Sequence, residues 1–261
     1  PVKKQGRSLI RVDWRRIRLR RLARIGCPAC EAVPERLAGR AAGQYHGRLQ
    51  ASVAGLAGPE WLQGVEMKIA KVVLAGPRVR LEPLAQAHLP GLADAIDDGR
   101  LWEIPVTLVP SREDLGKFLD AAESAFNAEK ELVFATLDAQ SGRVLGSTRF
   151  RCIDAAHRRV EIGFTFLAAS SQRTHVNTEA KYLMLRHTFE TWGCNRVELL
   201  TDERNAKSRR AIQRIGAREE GMLRCHMLMR DGYVRNSVVY SVIAPEWQQV
   251  KAALEAQLVR P

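Results

Sequence analysis

Residues 159–192 carry the strongest folding instruction in the chain. In Arg159–Leu167, Val160, Ile162, Phe164 and Phe166 fall on one side and Glu161, Gly163 and Thr165 on the other, the period of a half-buried strand. From 178 to 192 the period turns helical: Leu185, Phe189 and Trp192 recur at spacings of four and three, and Gly193 ends the run. Between them lies the polar stretch SSQRTHVNTEA. A strand passing into a helix through such a loop leaves N–H groups of the first helical turn unpaired, and the positive end of the helix faces the loop. Two readings follow. One is a cradle for phosphate, with Arg173 adding charge; the other is an ordinary capped turn, with Asn177 as N-cap and Glu179 in the first turn.

The flanking segments extend the pattern. Residues 69–74 and 79–84 are β-type runs around an Ala-Gly-Pro turn, and 86–98 reads as a helix stopped by Gly99. Ser111 is placed to cap a second helix, with Glu113 and Asp114 near its start. Leu132–Asp138 and 144–152 form a hairpin about Ala-Gln-Ser-Gly-Arg. Residues 196–201 read as a strand, 205–215 as a helix closed by Gly216, and 223–229 with Val234–Ile243 as a hairpin about Asp231-Gly232. Pro245 opens a last helix. The order is that of an α/β chain around a mixed, mostly antiparallel sheet.

The net charge of +12 suggests a polyanionic partner until it is divided by position. Residues 1–66 hold 13 Lys/Arg against 5 Asp/Glu, or +8; residues 67–261 hold 28 against 24, or +4. The body is near neutral, and any nucleic-acid contact is confined to the basic stretch 11–25. That stretch suits an RNA-binding arm, a membrane-surface helix or a transit-like peptide, and equally a disordered extension ahead of a natural start at Met67. The expected division is thus 1–66, a basic extension, and 67–261, a folded domain. Cys27 and Cys30 form a lone C-x-x-C, while Cys152, Cys194 and Cys225 sit in apolar or helical stretches. The odd count favours a reducing cytoplasm. No run reaches the ~18–20 apolar residues a membrane span needs. His88, His157, His187 and His226 have no ligand spacing, so no metal is expected.

A second constellation, TDERNAKSRRAIQRIG at 201–216, sharpens the first. Asn205 is a good N-cap, yet Lys207, Arg209 and Arg210 crowd the first turn, where the helix dipole disfavours cations. An anion nearby would account for them, as would a solvated charged face. With VEIGFTFL, QRTHVNTEA, the helix to Trp192, RVELLTDERNAKSRRAIQRIGAREEG and the closing DGYVRNSVVYSVI before PEW, the chain from Val79 to Trp247 resembles the GNAT superfamily of N-acetyltransferases. It is most similar to the branch that includes ribosomal-protein N-terminal acetyltransferases, acting on alanine or serine, and their small-molecule relatives.

The resemblance implies a GNAT-like twisted sheet with helices on both faces, and acetyl-CoA as donor to an amine acceptor. It implies that pyrophosphate lies on the loop Gln172, Arg173, Thr174, His175, Val176 and Asn177, with Thr178 following. The pantetheine arm would run along Phe164, Phe166 and Leu167 into a V where this strand parts from 196–201, and Asn205, Lys207 and Ser208 would meet the cofactor. His175 and Asn177 stand where the family places loop glycines, so the His175 ring could crowd or strain the loop, point away, or donate to phosphate. Ile212 stands where many members place a tyrosine as general acid. Catalysis would then rest on positioning two substrates, with Glu161 taking the amine proton and Ser208 or water protonating the leaving thiolate. Tyr240 is a weaker acid candidate, and Trp102 is expected to shape the acceptor pocket. Self-association into a homodimer is left open. The rival to an enzyme is a CoA-binding regulatory protein that keeps the fold with little turnover, and a ribosome or nucleic-acid contact through 11–25 is a third reading.

Overall fold

The structure, a computed structural model, describes residues 67–259. The readings for the 1–66 extension, the basic stretch 11–25, and Cys27 and Cys30 lie outside the described residues. Eight strands form one sheet: β1 (Leu74–Ala75), β2 (Val79–Pro83), β3 (Leu132–Asp138), β4 (Val144–Asp154), β5 (Arg159–Leu167), β6 (Arg196–Asp202), β7 (Arg218–Leu228) and β8 (Val234–Ile243). Their spatial order is β1-β2-β3-β4-β5-β6-β8-β7. Every neighbouring pair is antiparallel except β5 and β6.

Five helices cover the two faces, as expected: α1 (Leu89–Asp97), α2 (Leu115–Asn127), α3 (Val176–Arg186), α4 (Ala206–Arg214) and α5 (Trp247–Val259). Strand alternation divides the apolar residues accordingly. Phe134, Phe150, Val197 and Tyr240 face α3, α4 and α5 with Leu183, Ile212 and Leu254, whereas Val133, Ala135 and Leu137 face α1 and α2 with Leu92 and Leu119. None of these helices is long and apolar enough to cross a membrane.

Several expected elements shift. Pairing in the first run covers only Leu74 and Ala75. The residues before it pack on the end of the α3 segment instead, with the Trp192 indole donating to the Lys68 carbonyl at 3.1 Å. Ser111 does not cap α2; its hydroxyl donates to Asp114, which occupies the N-cap position. Strand β7 begins at Arg218 rather than 223 because it pairs with β8 along nearly its whole length. Helix α3 starts at Val176, two residues before the expected 178, and continues through one π-helical turn, His187–Thr191.

One buried acid fixes α3 to the sheet. Glu179 is 1% exposed and accepts hydrogen bonds from the backbone N–H groups of Arg78 and Val79 at 2.9 and 3.1 Å. Removing it would leave two donors unmet at about 1–3 kcal/mol each. Gly76 exists to admit this carboxylate, since a Cβ there would lie 2.4 Å from Glu179 Oε1.

Candidate active site

The site begins where the sheet fails to close. Parallel pairing of β5 with β6 covers only Arg159–Arg196, Val160–Val197 and Glu161–Glu198. Beyond Glu161 the strands splay, because β5 carries a bulge: between Arg149–Gly163 and Ser147–Phe166 it spends three residues where β4 spends two. Phe164 takes the left-handed conformation, with φ +47°. Gly146, paired with Leu167 just past the bulge at φ +155°, has no substitute, because a Cβ there would lie 2.1 Å from the Phe166 carbonyl oxygen.

The bulge also overturns the single alternation expected for this strand. Val160 and Ile162 face α3 as expected, but Phe166 packs with the α1–α2 cluster, and Leu167 returns to the α3 side. An inserted residue reverses the parity of everything after it. The result is a cleft of about 630 Å³ whose walls are the parted edges of β5 and β6, with the loop after β5, α3 and α4 at one end.

That end brings the two sequence constellations together. Asn205 caps α4, its Oδ1 accepting from the Ser208 N–H at 3.0 Å, and Lys207 reaches across to Gln172 Oε1. Gln172 in turn donates to the Leu167 carbonyl at 2.8 Å. Gln172, Arg173, Thr174, Asn177, Asn205, Lys207 and Ser208 all line the cleft, as do Phe164, Phe166 and Leu167. The backbone N–H groups of Arg173, Thr174 and His175 donate to no group among the described residues. They stand in front of the α3 N-terminus, a favourable place for an anion.

Three expected contacts are not brought to the cleft. Val176 is buried in the core, Thr178 is buried and accepts from Arg214 Nη2 at 3.4 Å, and the His175 ring is not on the wall. His175 is the N-cap of α3 in a right-handed conformation, φ −64°, so its position makes no demand for glycine; the strained residue is Arg173, at φ +63°. The His175 Nε2 is buried with no hydrogen-bond partner. Asn177 lies inside α3 and is not its cap. Trp102 packs against the α1–α2 cluster, and Leu101, Ile104 and the segment 106–109 line the cleft in its place.

The other end is charged. Glu161 is 6% exposed and lines the cleft, with Arg151 Nη1 donating to its Oε1 at 3.3 Å. Burial pushes the Glu161 carboxyl above the ordinary carboxylate range, and Arg151 opposes that rise. Arg149 and Arg151 stack on the Phe164 ring at 4.9 and 4.5 Å, held out by the bulge, while Glu131 pairs with Arg149 at 2.7 Å. Arg235 from β8 and His226 from β7 complete this end, and His226 Nδ1 lies 2.9 Å from Ser237 Oγ.

Lys181 lines the cleft from α3. It is 5% exposed, donates to Thr148 Oγ1 at 3.0 Å and Thr165 Oγ1 at 2.6 Å, and makes no ion pair among the described residues. Burial alone lowers it to about 7. The sequence offered a signal here, since Lys181 shares the apolar stripe of Leu185 and Phe189 at spacings of four. Arg151, His226 and Arg235 offered none, because they meet Glu161 only through the sheet order. Ile212 lines the cleft, whereas Tyr240 is buried off it, bonded to Arg209 and Glu219 at 3.0 and 3.1 Å. His187 packs on Phe150 and Trp192, and burial lowers it to about 4.

Known proteins share this arrangement. Residues 78–218 match the acetyltransferase (GNAT) domain family. A proposed acetyltransferase from T. thermophilus is 36% identical, with 74% of this chain and 100% of that one covered and a TM-score of 0.65. YdaF of Bacillus subtilis (strain 168), named for a proposed ribosomal N-acetyltransferase activity, is 27% identical over 175 residues, 61% of this chain and 93% of its own. Mycobacterium smegmatis RimJ, solved in complex with CoA-disulfide, shares the fold at 22% identity and a TM-score of 0.60, with 72% and 92% covered. The chain thus belongs to the GNAT acetyltransferase family and is an acyltransferase.

Proposed function

We propose that the protein transfers an acetyl group from acetyl-CoA to a primary amine by direct attack, with no covalent enzyme intermediate. The observation that carries this reading is the unpaired edge of β5 beyond Glu161, continuous with the free N–H groups of 173–175. An exposed strand edge is a ladder of donors and acceptors for an extended amide-bearing chain, and the loop beyond it suits phosphate at the end of that chain. A CoA complex in RimJ, a member of the same fold, supports the donor. Acetyl-CoA supplies the activated acyl group. Gln172, Arg173, Thr174, Asn177, Asn205 and Lys207 would hold it, with Phe164, Phe166 and Leu167 along its arm.

Glu161 takes the proton of the incoming ammonium, and its upward-shifted carboxyl makes it a stronger base than an ordinary carboxylate. Ser208 and Lys181 are the proton donors the cleft offers for the leaving sulfur, in place of the tyrosine that Ile212 replaces. Two substrates held side by side in one cleft supply much of the rate by orientation. The activity belongs to residues 67–261, so deletion of 1–66 should leave it intact. The rival, a CoA-binding regulatory protein with little turnover, rests on Ile212 alone once the His175 ring is off the wall. Titration calorimetry with acetyl-CoA and CoA tests the shared premise, and absence of binding at millimolar ligand overturns both. Thiol release with a panel of amines then separates enzyme from binder. The acceptor is a small-molecule amine or a protein N-terminus, and the amine panel distinguishes the two.

A further inference from the structure

The acceptor end of the cleft contains a buried guanidinium with an unmet hydrogen-bond donor. Arg235 is 9% exposed and lines the cleft, yet its Nε is buried with no hydrogen-bond partner. It forms no ion pair among the described residues, although Asp202 and Glu161 lie within electrostatic range. Buried guanidinium groups are nearly always paired, because each unmet donor forfeits its hydration. Arg151, beside it, also has a buried Nε without a hydrogen bond, while its Nη1 goes to Glu161. His226 Nδ1 lies 2.9 Å from Ser237 Oγ, and partial burial with the nearby Arg235 and Arg151 lowers its pKa. Charges of both signs, Arg235 and Glu161, thus share one wall without closing on each other.

We propose that the acceptor is an amino-acid-like zwitterion, an amine with a carboxylate a few bonds away, and that Arg235 binds that carboxylate while the amine lies toward Glu161. This deepens the acetyl-transfer reading and rests on it. A fork of N–H donors matches a carboxylate and satisfies the buried Nε. The apolar wall of Ile104, Val106, Leu108 and Val109 receives the rest of the molecule, and Arg230 ties that wall to the β7–β8 turn by donating to the Val109 carbonyl. A peptide N-terminus has an amide where the amino acid has its carboxylate, so it leaves Arg235 unmatched.

The test titrates the full chain, saturated with CoA, with a panel of L-amino acids, their primary amides and a short N-terminal peptide. At least one amino acid should bind about tenfold or more tightly than its amide, since a site built to pair a charged group rejects the analogue lacking it. With acetyl-CoA the same acid should be acetylated with the same preference. R235M should erase the preference while acetyl-CoA affinity holds, and R235K should keep part of it. Equal binding of acids and amides, tighter binding of the peptide, no acid bound at about 10 mM, which exceeds ordinary KM values, or an R235M loss shared equally by acid and amide each overturns the proposal. The acid–amide comparison on the unaltered protein stands even if R235M fails to fold. Failure to bind acetyl-CoA would instead strike the acetyl-transfer reading itself.

Discussion

The two ends of the cleft are built on different physical plans. At the loop end, the polar groups that face the cleft come from backbone: free N–H groups ahead of α3, the capped first turn of α4, and the unpaired edge of β5. Side chains there are exposed or half-buried and bond mainly to one another, as Lys207 does to Gln172. At the other end the groups are buried side chains, Glu161 and Arg235, with Arg151 between them in the electrostatics. A wall made of backbone tolerates side-chain change, and His175, right-handed and with its ring off the wall, makes no demand for glycine. Side-chain chemistry in a buried wall does not tolerate it.

That contrast can be broken by substitution. The largest effect is expected for E161Q at the buried end, a fall of about 10²–10⁴ in kcat/KM, the usual contribution of a general base. Acetyl-CoA binding, measured by calorimetry, should hold. In the unaltered protein the acidic limb of the kcat/KM profile should sit above the ordinary carboxylate range, since activity requires Glu161 ionised and burial raises its pKa. A limb in the ordinary range would show that another group is the base.

Lys181 comes next, as a test of what burial costs. Its pKa is about 7 in the fold and 10.5 ordinarily, so the unfolded chain binds a proton that the fold releases. The penalty is full below about pH 7 and fades as pH rises toward 10.5, at on the order of 1 kcal/mol per pH unit. K181M should therefore raise thermal stability near pH 7 and lose that advantage near pH 10, read by melting across pH. An advantage independent of pH would mean that Lys181 is charged and solvated.

At the loop end the effects should be smaller. K207A should weaken acetyl-CoA by roughly 1 kcal/mol, the scale of an exposed charge contact, and the loss should shrink in high salt. The smallest change is expected for H175A, which keeps the backbone N–H and removes a ring that is off the cleft. Acetyl-CoA affinity should move by less than about twofold, within the range of ordinary surface substitutions. A larger change in either direction would put the ring in the binding site and blur the contrast between the ends.

Much of the loop end was legible because it is written locally. Asn205 three residues before Ser208 is a capping geometry contained in one turn, and the alternation of β5 up to Ile162 follows from the pleat. Legibility stopped at Phe164. The extra residue there is set by pairing with β4 between Ser147 and Arg149, a relation between distant segments, and it turned Phe166 to the opposite face. Trp102 is a case of the same kind, since a loop aromatic does not state which layer it enters, and the fold packs it against the α1–α2 cluster.

The family was read from the resemblance of its motifs, whereas local periodicity and capping residues were sufficient by themselves for the element order and the mixed sheet. These depend on interactions within a few residues, whose geometry the backbone imposes. Only the tertiary structure decided that β5 and β6 part after three pairs, that Lys181 is buried without a counterion among the described residues, and that Arg235 and Glu161 share a wall from strands 74 residues apart in number. Burial and the company of distant charges set the chemistry of those groups, and both are properties of the packed sheet.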